Sequence, residues 1–102
     1  MNYEKLFEIL NSSGIPFRYH HFEGPPPIPY GVYLFTGADA IYADGITPEH
    51  FDNIRIELYT EKKSPETEKQ LEDKLKENEI AFEIVGEAYI KEEKLFMKIY
   101  EI

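Results

Sequence analysis

At Thr60 the hydrophobic period of this chain changes from two to nearly four. In "NIRIELYT" the residues Ile54, Ile56 and Leu58 alternate with Arg55, Glu57 and Tyr59, the pattern of a strand with one face buried. In "EKKSPETEKQLEDKLKEN" that alternation is gone. Ser64 is suited to cap a helix, Pro65 to open it, and Glu66 to sit at the positive end of its dipole. The spacing predicts a helix over 65–78 whose apolar stripe is only Leu71 and Leu75, so it lies on a surface with one narrow edge inward. The strand-helix-strand passage through residues 53 to 85 permits a crossover, and a sheet with helices packed on one face is the economical arrangement.

The flanking segments fill in that sheet. Tyr3, Leu6, Phe7 and Leu10 recur at helical spacing, which predicts an amphipathic helix over 3–12 stopped by "NSSG". "IPFRYHHFEG" predicts a strand over 16–22, and "GVYLFTG" with "DAIYADG" a hairpin. "ITPEHF" reads as a loop or one helical turn. "IAFEIVG" and "KLFMKIYEI" add two strands, with "EAYIKEE" between them as a short strand or an irregular hairpin arm. The expected fold is α+β: one mostly antiparallel sheet of about five or six strands, mixed if the crossover is used, with two helices packed on one face. At 102 residues, with no repeat and no long linker, the chain is expected to form a single domain over 1–102.

Composition restricts function more than it identifies it. The formal net charge of −9 and only two arginines, Arg18 and Arg55, leave no basic face for phosphate, so sequence-specific nucleic-acid binding is not expected. Cysteine is absent, which removes disulfides, thiol nucleophiles and cysteine-based zinc sites. No signal-peptide pattern and no apolar run of about 20 residues occurs, so the reading is a soluble, intracellular protein without a membrane partner.

No motif of catalysis or cofactor binding stands out, and the chain is expected to be non-enzymatic with no cofactor and no metal. His20 and His21 are adjacent in the predicted strand, which would send their side chains to opposite faces. His50 and Asp52 form a chance-level H-x-D. Asp39, Asp44 and Asp52 sit among turns, where Asp is favoured for local backbone bonding, and they do not follow the calcium-loop pattern. Ser12, Ser13 and Ser64 lie at helix ends, outside any nucleophile elbow.

The proline run "EGPPPIPYGVYLF" is the most unusual stretch. Pro26 and Pro29 have the PxxP spacing of a polyproline ligand, yet Ile28 and Tyr30 and the adjoining strand favour a stiff connector packed on its own domain. Among eight tyrosines, Tyr30, Tyr33, Tyr42 and Tyr59 are expected to share an exposed sheet face, the usual anchors of protein contact. The expected partner-binding residues are therefore Pro26, Pro27, Ile28, Pro29, Tyr30, Tyr33, Tyr42 and Tyr59. The contact regions are the connector from Pro25 to Gly31 and the loop from Gly45 to Asp52.

The amino-terminal helix, "PPPIPYGVYLF" leading into "ADAIYADG", and the run from "IRIELYTEKKSPETEKQLEDKLKENEIAFEI" to "YIKEEKLFMKIYEI" together resemble the small proteins encoded in the head-tail module of tailed phages and prophages of Gram-positive bacteria. The resemblance covers nearly the whole chain. It implies a tail-terminator or head-tail joining protein, a ring of identical copies that docks on tail-tube and connector proteins. Such a protein would be found in the bacterial host cytoplasm during assembly and then in the virion. An acidic ring suits a channel for DNA, because repelled phosphate does not adhere to the wall. Two alternatives stay open: a monomeric adaptor recognised through its proline loop, and a small-ligand-binding domain with a concave pocket.

Overall fold

The computed structural model describes residues 3–35 and 53–102. The first helix, α1, spans Tyr3–Asn11, and the chain leaves it through Gly14, whose φ of +90° lies where side-chain-bearing residues are strained. Strands β1 (Phe17–Tyr19), β2 (Tyr30–Phe35) and β3 (Ile54–Thr60) follow, then helix α2 (Pro65–Glu77), then β4 (Glu83–Ile90) and β5 (Leu95–Glu101). Ser64 caps α2 as expected, its hydroxyl accepting from the Thr67 amide at 3.3 Å.

Among the described residues one mixed five-stranded sheet results, in the order β1-β2-β3-β5-β4. β3 and β4 are each antiparallel to β5, so they run parallel to one another and α2 is the crossover between them. Strand β1 is parallel to β2, with Phe17 opposite Gly31 and Tyr19 opposite Tyr33. A parallel pair requires the chain to travel back along its own length. The segment from His20 to Pro29, which contains the proline run, is that return path, so the prolines have a structural task.

One face of the sheet carries the core. Phe17, Tyr33, Ile54, Ile56, Leu58 and Tyr100 project from four strands against Leu6 and Leu10 of α1 and Leu71 and Leu75 of α2. Both helices therefore cover the same face. The alternation in β3 is as the sequence predicts, with Ile54, Ile56 and Leu58 buried and Arg55, Glu57 and Tyr59 turned to the other face.

Three local expectations need correction. β1 ends at Tyr19 rather than extending to 22, because His20 adopts a φ of 69° and turns the chain out of the sheet. β4 begins at Glu83 and runs through "EAYI" as one strand, with a bulge between Ile84 and Gly86 that shifts the alternation; Ile84 is 53% exposed. Tyr33 is fully buried and does not share the face of Tyr30 and Tyr59. Strand side chains alternate, and residues three apart must face opposite ways. The second arm of the predicted hairpin, Tyr42, and the loop from Gly45 to Asp52 lie outside the described residues, as do Asp39, Asp44, His50 and Asp52.

Candidate functional site: a tyrosine and proline cleft

The sheet face away from the helices holds an open cleft of about 230 Å³. Its floor is Tyr30 and Val32 of β2 with Glu57 and Tyr59 of β3; one wall is the return segment, and Glu93 of the β4–β5 turn stands at the other rim. Register places Tyr30 directly opposite Tyr59, so the two rings stack at 4.7 Å with only 14° between their planes. Phe22 closes one side, its ring edge-on to Tyr30 at 5.4 Å. The floor is thus aromatic and rigid.

The polar groups of the floor meet at Glu57. The Tyr59 hydroxyl donates to Glu57 Oε1 at 2.7 Å, and Arg55 Nε lies 2.9 Å from Glu57 Oε2. Burial first, then the hydrogen bond to Glu57 and its negative charge, push the Tyr59 phenol well above its ordinary value. Tyr30 is raised as well, by burial and then by Glu93 and Glu57. Both phenols therefore stay protonated at neutral pH.

His20 and His21 do meet, against expectation. The left-handed turn at His20 brings the two Nδ1 atoms to 3.2 Å, and His21 Nε2 lies 3.3 Å from Glu23 Oε1. One ring must present Nδ1–H and the other its lone pair. Among the described residues, no group of three or more His, Cys, Asp or Glu side chains is arranged to hold a metal.

The predicted contact residues divide accordingly. Pro26, Tyr30 and Tyr59 come together in the cleft. Pro27 is exposed on the outer side of the return segment, and Ile28 is 49% exposed. Pro29 is half-buried and with Ile28 lines a second depression beside Thr60, Ser64 and Thr67. The sequence reading passed over His20, His21, Phe22 and Glu93 as cleft residues. Phe22 next to a proline run was a usable signal, whereas Glu93 arrives only through the strand order.

The densest charged cluster lies on the opposite, helix-bearing face. Lys98 Nζ donates to Glu68 Oε1 at 2.8 Å and to Glu72 Oε2 at 3.4 Å, and the Tyr100 hydroxyl donates to Glu72 Oε2 at 2.7 Å. Lys63 Nζ reaches Glu68 Oε2 at 2.6 Å and also pairs with Glu87. Glu68 and Lys98 are largely withdrawn from solvent, so this network ties α2 to β5 and β4.

Comparison with protein-family models, with curated proteins and with solved structures gave no match for this chain. Among the described residues no helix is long and apolar enough to cross a membrane.

Proposed function

We propose that this chain is a non-enzymatic docking protein of a phage or prophage, assembling with copies of itself in a ring and with tail-tube or connector proteins at the head-tail interface or tail end. The observation that carries the docking role is the cleft. A stiff proline segment and two stacked tyrosines form a preorganised aromatic surface, the kind that loses little conformational freedom on contact. Glu57 already accepts the Tyr59 proton and is paired with Arg55, while the Tyr30 phenol, held protonated by burial and by Glu93 and Glu57, is suited to donate a hydrogen bond to a partner. The phage setting rests on the sequence resemblance, and the net charge of −9 is compatible with a wall past which DNA moves.

A freely displayed proline ligand is a weaker reading, because Pro26 and Pro29, the two prolines of the PxxP spacing, are both half-buried against the domain.

The test is capture of virion proteins from prophage-induced cells by the tagged chain, with recovered proteins identified by mass. A Pro26→Ala, Tyr30→Ala variant of unchanged circular dichroism serves as the comparison. Recovery of tail-tube or connector proteins by the native chain, reduced for the variant, is the expected result. Recovery of none, or equal recovery by both, sinks the proposal.

A further inference from the structure

The two edges of the sheet are finished differently. At the β1 edge, the outward backbone groups of Phe17 are taken by side chains. Its N–H donates to Asn11 Oδ1 at 2.9 Å, and its carbonyl accepts from Asn11 Nδ2 at 3.3 Å and from an Arg18 guanidinium nitrogen at 2.8 Å. Asn11 thus does for Phe17 what a neighbouring strand would do, and this edge is closed to pairing.

The β4 edge has no such cover among the described residues. Among the described residues β4 is the terminal strand of the sheet, and its Ile84, Val85 and Tyr89 are 53%, 55% and 52% exposed. The bulge is confined to the step between Ile84 and Gly86, so the stretch from Gly86 to Ile90 pairs with β5 in unbroken register and keeps a straight outer edge. An exposed edge of this kind, carrying apolar side chains, is a template for another strand.

We infer that β4 pairs antiparallel with β4 of a second copy about a two-fold axis at Ala88, joining two sheets into one of ten strands. The occupant follows from the edges themselves. A head-to-tail sheet would need the β1 edge, which Asn11 and Arg18 occupy, whereas a two-fold contact uses the open edge twice and closes at two copies. The register follows from the length of the straight stretch and from charge: Gly86–Ile90 is centred on Ala88, so an axis there pairs all five residues, whereas an axis at Tyr89 would carry the second strand past Ile90 into the turn. Centring the axis on Glu87 would set two like charges directly opposite, which is destabilising. Centring it on Ala88 places Glu87 opposite Tyr89 of the second copy and Gly86 opposite Ile90. This contact is separate from any head-to-tail contact of a ring and does not depend on the cleft.

The chain contains no cysteine, so a single introduced one reports position without interference. In the Ala88→Cys variant the two introduced thiols would face each other across the axis. Under mild oxidation this variant should form a covalent dimer at least about tenfold faster than a Lys76→Cys control on the exposed end of α2, as expected for directly opposed strand positions. Analytical ultracentrifugation of the unmodified chain should show a monomer–dimer equilibrium. Tyr89→Lys should weaken it at least about tenfold while the far-ultraviolet circular dichroism spectrum stays native, since a strand this short makes a small interface that one residue can dominate. A chain that stays monomeric, or one whose association survives Tyr89→Lys while Ala88→Cys links no faster than the control, overturns the inference.

Discussion

The ring of Phe17 occupies the space that a side chain on Gly31 would need. The two residues are register partners in the parallel β1–β2 pair, and a Cβ built on Gly31 would fall inside the van der Waals envelope of that ring. Phe17 is fully buried in the core, so the ring has no free direction in which to withdraw.

Gly31→Ala should therefore destabilise the chain by about 3 kcal/mol, the upper part of the range for overpacking a close-packed site. Urea unfolding of the variant gives the value directly. Phe17→Leu shortens the offending group and should recover part of the loss in the double variant, so the two substitutions will not add. Additive losses would show that Gly31 is required for another reason.

Asn11 joins α1 to β1 through both ends of its amide: Oδ1 accepts from the Phe17 N–H at 2.9 Å, and Nδ2 donates to the carbonyls of Phe7 at 2.9 Å and Phe17 at 3.3 Å. Asn11→Ala leaves these backbone groups to water or unpaired and should cost about 2 kcal/mol in unfolding free energy. Hydrogen exchange at the Phe17 amide should speed up in the same variant by more than at core amides of β3, because the loss is local. Equal acceleration at both sites would mean that Asn11 acts on global stability alone.

How far the sequence discloses this fold depends on whether the deciding contact is local. Helix α2 is legible because Ser64, Pro65 and Leu71 with Leu75 announce its start and its inward edge within one segment. β3 is legible from strict alternation over six residues, 54 to 59. The face of Tyr33 was also available from local spacing: it stands three positions from Tyr30, and period-two geometry alone places the pair on opposite sides. The end of β1 was not, since it turns on a left-handed conformation at His20. The Glu68–Lys98 pair joins residues 30 positions apart and exists only because β5 lies next to β3 beneath α2. The cleft was half legible, its proline wall and tyrosines being visible in sequence while His20, His21 and Glu93 join them through chain reversal and strand order.

Glu68 should contribute to the loss of stability in acid. Burial alone would raise its carboxyl, but the hydrogen bonds and charges of Lys63 and Lys98 outweigh that effect and hold it below its ordinary value of 4.5. A carboxyl lowered in the folded state contributes its stability in full above the unfolded-chain value and loses it as the pH falls through the lower, folded-state value. The chain should therefore lose stability as the pH drops below about 4.5, and Glu68→Gln should flatten this limb while lowering stability at pH 7. Melting temperature followed against pH for both proteins checks the point. Parallel curves would remove Glu68 from the acid transition.

Tyr100 should contribute correspondingly at the alkaline end. Its ring is fully buried, and its hydroxyl donates to Glu72 Oε2 at 2.7 Å. Burial first, then the hydrogen bond to Glu72 and the surrounding carboxylates, drive the phenol far above its ordinary value of 10.0. A phenol raised in the folded state contributes fully below the unfolded-chain value, and that contribution falls away as the pH rises above it, because only the unfolded chain ionises. Unfolding free energy should thus decline as the pH passes about 10, and Tyr100→Phe should make the decline shallower. At neutral pH the same substitution should cost about 1–2 kcal/mol, since Glu72 keeps Lys98 at 3.4 Å but loses its nearer donor. Ultraviolet titration of the native chain against Tyr100→Phe checks the point. The phenolate signal that the substitution removes should appear only together with the loss of secondary structure. A Tyr100 signal that develops in the folded protein near the ordinary value would show that the Glu72 contact is broken in solution.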